Sequence, residues 1–274
     1  MDLTQTRKLV LSPLRRASRR SFPLVIASIL LAGILWYLLA RLGGFPAYIL
    51  PTPDLVWTRF LQAVSSGSLL RHTAATLTEV LAGLALGVST ATILGYFLAR
   101  SRTFERLLAP YIVASQSVPV VAIAPLLVIW FGPYLFSKVL ICALIVFFPV
   151  LVNTIVGLRS VPEELHDLMR SLQSSRWQTF TYLEVPAALP VFLGGLRIGA
   201  TLAVIGAVVG EFVGADRGLG FLINVGKGQY DTALVFVAVF TLVAMAMALY
   251  GLVVGLEMRL LSWQQRPEED RLTR

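Results

Sequence analysis

Charge and cysteine are both scarce in this sequence of 274 residues. Only 14% of the residues are Asp, Glu, Lys or Arg, whereas about 25% is usual for a soluble domain. Cys142 is the single cysteine, which excludes an intrachain disulfide and a metal site built from several cysteines. The sequence has two histidines, and it has no Gly-x-x-x-x-Gly-Lys-Ser/Thr loop that would cradle a nucleotide phosphate. These shortages argue against a soluble enzyme and against an ATPase.

Apolar residues are abundant instead, at 57% of the chain, and mean hydropathy is +0.78. So high an apolar content excludes a disordered chain. A bilayer core of about 30 Å is crossed by roughly 20 mostly apolar helical residues. The sequence predicts an all-α polytopic membrane protein with six transmembrane helices, at about 24–40, 80–99, 107–131, 135–157, 188–210 and 232–256.

The first apolar run follows a basic segment, as a signal peptide would. Its apolar core is longer than the 7–15 residues typical of a signal peptide, and no small-x-small cleavage motif follows it. We therefore expect it to be a retained helix. The 39 residues 41–79 that follow include Leu55–Val64, an amphipathic segment that either lies along the outer membrane interface or packs on the bundle.

The basic residues favour one orientation. With the amino terminus inside, sixteen Lys and Arg lie in the inner tails and connections and six lie outside. Because cytoplasmic segments are enriched in basic residues, both termini are predicted to be cytoplasmic, and the net charge of +8 needs no nucleic-acid partner. The predicted regions are a basic tail (1–23), the first helix with an outer segment (24–79), a core of five spans (80–261) with an inner loop at 158–186, and a cytoplasmic tail (262–274).

Two polar residues in the spans are candidates to line a pathway. Gln116 lies beside Pro119, where its side chain either lines a polar path or satisfies a carbonyl that a proline kink leaves free. Asn153 lies within the fourth span. Glycines such as Gly83, Gly87 and Gly206 are spaced for close contact between helices.

The inner loop at 158–186 is far longer than a connection between two spans requires. Ser160 is a candidate helix cap, and Glu163 and Glu164 favour a helix start. A second short helix is predicted after Ser174 or Ser175. The apolar face of this helix pair packs either against the bundle or against a partner protein, and the pattern alone favours neither.

The same loop resembles the cytoplasmic loop of bacterial ABC-importer permeases, with its Glu-Ala-Ala…Gly…Leu-Pro pattern. Asp167-Leu168-Met169 lies at the first motif, Gln173 at the glycine and Val185-Pro186 at the Leu-Pro. The segments Gly194-Gly195-Leu196-Arg197, Gly210-Glu211-Phe212, Gly218-Leu219-Gly220 and Leu50-Pro51-Thr52-Pro53 are similar to the nitrate/sulfonate/taurine-type branch. Residues 184–223 look closer to permeases for vitamins, such as riboflavin or a thiamine-precursor pyrimidine. The replacement of the glycine by Gln173 implies a strained or altered turn.

The resemblance implies a translocation subunit without chemistry of its own. Two permease copies, as a homodimer, would pair in the bacterial inner membrane with two cytoplasmic ATP-binding subunits and an extracytoplasmic substrate-binding protein. ATP and magnesium would bind to the ATPase partners, and no cofactor is expected on this chain. The resemblance places the ATPase-coupling surface on the loop, at Glu163, Leu165, Asp167, Leu168, Met169, Gln173, Trp177, Phe180 and Pro186.

Three charged residues of the fifth span and its outer end have open roles. Glu211 and Arg217 are predicted either to dock the binding protein or to form a local surface pair. Arg197 is predicted to extend to the cytoplasmic interface, with a role in the pathway as the alternative.

Two other function classes compete with this interpretation. A membrane enzyme is disfavoured because His72 and His166 fall on opposite sides and no catalytic set forms. An ion-coupled secondary transporter would have ionisable groups at mid-membrane and often an inverted repeat. The ionisable candidates, Arg197 and Glu211, lie toward the two ends of the fifth span, and a channel or secondary transporter leaves the loop at 158–186 without a role.

Overall fold

The computed structural model describes residues 17–265, and within that range all regular structure is helical. The predictions for the remaining parts of the two tails lie outside the described residues. The elements are α1 (Ala17–Leu42), α2 (Pro53–Ser65), α3 (Ser68–Arg100), α4 (Arg102–Gln116), α5 (Val120–Phe131), α6 (Leu135–Arg159), α7 (Glu163–Ser171), α8 (Arg176–Thr179), a π-helical turn (Phe180–Glu184), α9 (Val185–Gly214), α10 (Leu219–Gly228), α11 (Thr232–Leu260) and a short 3₁₀ turn (Ser262–Gln265).

Four helical stretches in the described range are long and apolar enough to cross a membrane: α3, α6, the stretch Arg176–Gly214 and α11. The bent pair of α4 and α5 makes a fifth if it counts as one span. The apolar part of α1 that the structure describes is the shorter segment Ile26–Leu42. The all-α polytopic architecture is thereby confirmed, and the count of six spans with cytoplasmic termini stays a prediction.

Helix α6 lies between α3 and α9 and packs more extensively against these two than any other pair of helices does. Small residues permit this close approach. A β-carbon on Gly83 would collide with Cys142 of α6, and one on Gly206 would lie 2.8 Å from the Cα of Cys142 on the opposite side. Cys142 is fully buried between the two contacts. The prediction that these glycines serve close helix packing is confirmed.

The predicted third span is broken rather than merely kinked. Helices α4 and α5 meet at an angle of 93° across residues 117–119. Pro119 has no N–H to continue the helix, and a proline disfavours helical geometry in the residue before it. The hydroxyls of Ser115 and Ser117 donate to the carbonyls of Ile112 and Val113, at 2.8 and 3.2 Å, so these two serines bond to their own helix.

The predicted outer segment is more helical than expected. Helix α2 covers the amphipathic segment Leu55–Val64 and packs against α11 and α3, with Val56 and Ala63 buried. Helix α3 begins at Ser68, so the residues on both sides of the predicted boundary at 79/80 belong to one helix. A hydropathy count takes residues 68–79 for a connection because several of them are polar, although two of these, Thr76 and Glu79, are buried in the protein.

Candidate functional site

The loop at residues 158–186, which we call the coupling loop, folds as two short helices and a π-helical turn. Helix α7 begins after Pro162, and Glu163 and Glu164 occupy its first turn, where acidic side chains complement the helix dipole. Ser160 closes α6 instead of starting α7, because its N–H donates to the carbonyls of Val156 and Gly157. The predicted cap at Ser160 is therefore wrong, and the predicted helix pair is confirmed.

Gln173 makes the turn between the two short helices in a left-handed conformation, with φ of +53°. The N–H of Gln173 donates to Arg170 O at 2.9 Å, and Ser174 donates to Met169 O through both its N–H and its hydroxyl. A left-handed backbone costs a residue with a β-carbon about 1–2 kcal/mol. The altered turn predicted at this position is confirmed.

Helix α8 starts with a capping box. The Ser175 hydroxyl accepts from the N–H of Gln178 at 3.2 Å, and the Gln178 side chain accepts from the N–H of Ser175 at 2.7 Å. Of the two serines predicted to cap this helix, Ser175 is the cap. The π-helical turn then joins α8 to α9 without a break, so the coupling loop continues directly into α9 at this end.

The residues predicted for ATPase coupling fall into two groups. Three large apolar side chains are exposed, Trp177 at 73%, Leu168 at 53% and Leu165 at 40%. Glu163, Asp167 and Gln173 are also exposed, whereas Met169, Phe180 and Pro186 are half-buried. The loop thus presents large apolar side chains outward, whereas Phe180 contacts Tyr96 of α3. Packing against the bundle therefore applies at Phe180, and packing against a partner protein stays a prediction.

Arginines join both ends of the coupling loop to the carboxyl end of α3. Arg159, at the loop's start, donates to Leu98 O at 3.1 Å and to both carboxylate oxygens of Glu105 at 2.8 and 2.7 Å. Glu184, at the loop's end, accepts from Arg100 Nη2 with both oxygens at 2.9 Å. These contacts satisfy a carbonyl of the kind that the last turn of a helix leaves unpaired.

A buried charged cluster lies near the opposite end of the bundle. Lys138 Nζ of α6 lies 3.2 Å from Glu79 Oε1 of α3, and both side chains are only 3% exposed. Glu211 of α9 is 1% exposed and close enough to both residues to interact with them electrostatically. We call Glu79, Lys138 and Glu211 the buried triad.

Glu211 is stabilised in the interior by hydrogen bonds. The Thr76 hydroxyl donates to Glu211 Oε1 at 2.6 Å, and the N–H of Gly220 donates to Oε2. Gly220 lies in the first turn of α10, where free N–H groups and the helix dipole favour a negative charge. The preceding Gly218 has φ of +120°, and its N–H donates to His72 Nδ1 at 3.0 Å.

Glu211 and Arg217 differ in burial, so the roles predicted for them have different outcomes. Arg217 is exposed, and its nearest carboxylate is Asp216, at 3.6 Å, so the local pair of Glu211 with Arg217 is not formed. A buried Glu211 carboxylate presents no docking surface, because its oxygens are already bonded inside the protein. A cavity of about 680 Å³ at this end is lined by residues that include Glu79, Lys138 and Arg217.

The other predicted polar residues are scattered. Gln116 is exposed at the end of α4, whereas Asn153 is half-buried and donates to Pro149 O at 2.8 Å. Arg197 pairs with Glu257 of α11, and its guanidinium carbon lies 5.5 Å from the centre of the Tyr250 ring. Arg197 therefore bonds across two helices, and its extension to the cytoplasmic interface stays a prediction.

Glu79 and Lys138 were not predicted to be buried. Glu79 falls in the predicted outer segment, and Lys138 is one of the six basic residues that were counted as lying outside. A signal was present, because Thr76, Glu79, Gly83 and Gly87 recur at the spacing of one helix face. A polar residue on the same face as packing glycines is expected to face the neighbouring helix and not water.

Comparisons with known proteins agree with the resemblance of the coupling loop. Residues 87–262 match the family described as binding-protein-dependent transport system inner membrane component. The chain is 50% identical to the riboflavin transport system permease protein of Chloroflexus aurantiacus, over 86% of this chain and 88% of the relative. It is 38% identical to the formylaminopyrimidine transport permease protein of Halalkalibacterium halodurans, over 85% and 92%.

More distant relatives extend the comparison. The taurine transport system permease protein of Escherichia coli is 32% identical, over 89% of this chain and 90% of that one. The solved MetNI methionine ABC transporter is similar in fold, with a TM-score of 0.56 at 17% identity over 68% of this chain and 91% of the solved one. The chain therefore belongs to the family of binding-protein-dependent inner-membrane transport components and is a permease subunit of an ABC importer.

Proposed function

We propose that this permease imports a vitamin, riboflavin first and a thiamine-precursor pyrimidine next. The observation that supports riboflavin is the 50% identity to a riboflavin permease over 86% of the chain. Identity falls to 38% for the formylaminopyrimidine permease and to 32% for the taurine permease. Nitrate, sulfonates and taurine are accordingly the less favoured substrates.

The energy for import comes from separate subunits that bind and hydrolyse ATP with magnesium. The outward face of the coupling loop supports this proposal. Leu165, Leu168 and Trp177 are large apolar side chains exposed next to the acidic Glu163 and Asp167. A contiguous exposed apolar patch with a polar rim is typical of a protein-binding surface. This face is the proposed docking surface for the ATPase.

Two further partners complete the importer. A second copy of this chain pairs with the first to enclose the pathway, in which Gln116 and Asn153 are the proposed polar residues. An extracytoplasmic binding protein delivers the substrate at the end of the bundle that carries the buried triad. Arg217 is exposed there and is the proposed contact.

Uptake by the reconstituted importer tests the substrate. The permease, its ATPase and its binding protein are purified together and placed in liposomes, and uptake of riboflavin, hydroxymethylpyrimidine and taurine is measured with and without ATP. We expect ATP-dependent uptake of riboflavin that taurine does not inhibit. ATP-dependent uptake of taurine with no uptake of riboflavin would contradict the proposal.

Co-purification tests the docking surface. Asp167 is 63% exposed in its side chain, and its pair with Arg170 on the same helix contributes little to stability. We therefore expect Asp167→Lys to fold normally but to recover less ATPase in mild detergent. Asp54→Lys makes the same charge change at an exposed position of α2, away from the coupling loop, and serves as the control. Equal ATPase recovery and equal transport for both variants would remove Asp167 from the surface.

A further inference from the structure

The coupling loop is joined to one particular place in the bundle, the carboxyl end of α3. Arg159 binds that end from the start of the loop, through the carbonyls of Leu98 and Ala99. Glu184 binds it from the end of the loop, through Arg100. Although the loop connects α6 to α9, the charged side chains at both of its ends therefore converge on a third helix.

A continuous series of contacts connects the exposed face of the loop to this junction. The rings of Trp177 and Phe180 have centroids 5.8 Å apart, and Phe180 meets Tyr96 of α3 edge-on at 5.3 Å. The guanidinium of Arg100 lies over the Tyr96 ring, 4.8 Å from its centroid. Arg100 then binds Glu184, which returns the series to the loop.

The Arg100–Glu184 pair is a charge-assisted contact to a mostly buried carboxylate. One nitrogen of Arg100 contacts both oxygens of Glu184 at 2.9 Å, and the Glu184 side chain is only 10% exposed. A charge-assisted contact to a buried carboxylate is stronger than an exposed pair. Glu184 also closes the π-helical turn Phe180–Glu184, and such turns occur frequently at functional sites.

The end of α3 is also where the chain changes direction. Ser101 alone separates α3 from α4, with extended backbone angles, and its hydroxyl caps α4 by accepting from Phe104 N at 3.2 Å. Glu105 of α4 is the second partner of Arg159. A displacement of the coupling loop relative to the bundle therefore acts directly on the junction between α3 and the bent α4–α5 pair.

We propose that Arg100 and Glu184 are a positioning pair that transmits movement of the coupling loop to the α3–α4 junction. This proposal rests on the proposed docking of ATPase subunits on the loop. Neither residue contacts the substrate or ATP. Their role is to keep the loop and the end of α3 moving as one unit, so that ATP hydrolysis and transport remain coupled.

The test measures ATP hydrolysis and transport separately in liposomes that contain the complete importer. For Glu184→Gln we expect normal ATPase co-purification, sustained ATP hydrolysis and a fall of about two- to thirty-fold in substrate transported per ATP. Arg59→Gln is the matched control, because Arg59 forms a partly exposed ion pair with Asp231 at 2.7 Å, away from the loop. Its ratio of transport to ATP should equal that of the unchanged protein.

A second pair of variants protects the test against misfolding of Glu184→Gln. The Arg100 side chain is 41% exposed, so its replacement is better tolerated. We expect Arg100→Gln to uncouple and Arg100→Lys, which keeps the charge, to restore most of the ratio. An unchanged ratio in Arg100→Gln would overturn the proposal, and so would loss of ATPase from the complex, which would assign the pair to docking. Failure of the unchanged permease to recover any ATPase would instead refute the proposed docking.

Discussion

Lys138 of the buried triad is the residue whose removal should destabilise the fold most. Its ammonium group lies 3.2 Å from Glu79 Oε1 and also acts on Glu211, in a site where both side chains of the pair are 3% exposed. Methionine has an unbranched side chain of nearly the same length as lysine but no charge. Lys138→Met therefore leaves the carboxylates of Glu79 and Glu211 buried together without the ammonium group. Removing one partner of a buried ion pair costs about 3–5 kcal/mol. At about 2–4 °C per kcal/mol, Tm should fall by about 6 to 20 °C.

The assay is thermal unfolding of the purified permease in mild detergent, followed by tryptophan fluorescence. Lys227→Met is the matched control, because Lys227 is exposed in the last turn of α10 and its loss should change Tm by no more than about 2 °C. Glu79→Gln leaves Lys138 beside Glu211 and should cost less, about 1–3 kcal/mol. Equal Tm values for Lys138→Met and Lys227→Met would refute the reasoning.

Three further substitutions test local geometry by the same unfolding assay or by hydrogen exchange. Gln173→Gly should raise the unfolding free energy by about 0.5–1 kcal/mol, because glycine adopts the positive φ of +53° without strain; a lower Tm would contradict this. Gly218→Ala should cost more than about 2 kcal/mol, since its φ is +120° and a β-carbon would collide with the Glu211 carboxylate. Ser175→Ala should speed amide exchange in α8 by removing a cap that contributes about 1 kcal/mol.

The helices that were predicted well are the most apolar ones. Helices α6 and α11 begin where the sequence predicted, at Leu135 and Thr232, because lipid and core both select apolar residues. The break at Pro119 was also predictable from the missing N–H of proline. Its angle of 93° was not, because the angle depends on what the two halves pack against.

The residues that were missed are polar side chains that face other helices. A hydropathy count averages over neighbouring residues and does not tell which way each side chain points. The first turns of α3 were therefore predicted to be a connection between two spans. The partners of Glu79 and Arg197 are distant in sequence: Lys138 lies on α6 and Glu257 on α11. Only the three-dimensional arrangement brings these charges together, although the spacing of Glu79 with Gly83 and Gly87 indicated its direction.

The buried triad also changes the argument about where the energy for transport enters. The near absence of ionisable groups at membrane depth was one reason to favour an external source of energy. Glu79, Lys138 and Glu211 are buried ionisable groups near one end of the bundle that this argument did not consider. Their contacts nevertheless indicate a structural role, because Lys138 neutralises one carboxylate and Glu211 caps α10 through Gly220.

A double variant, Glu79→Gln with Lys138→Met, removes the ion pair and leaves Glu211 with its hydrogen bonds. We expect it to be more stable than Lys138→Met alone and to retain ATP-dependent transport. Loss of transport by this variant in a folded, ATP-hydrolysing complex would instead show that these charges act in the transport cycle.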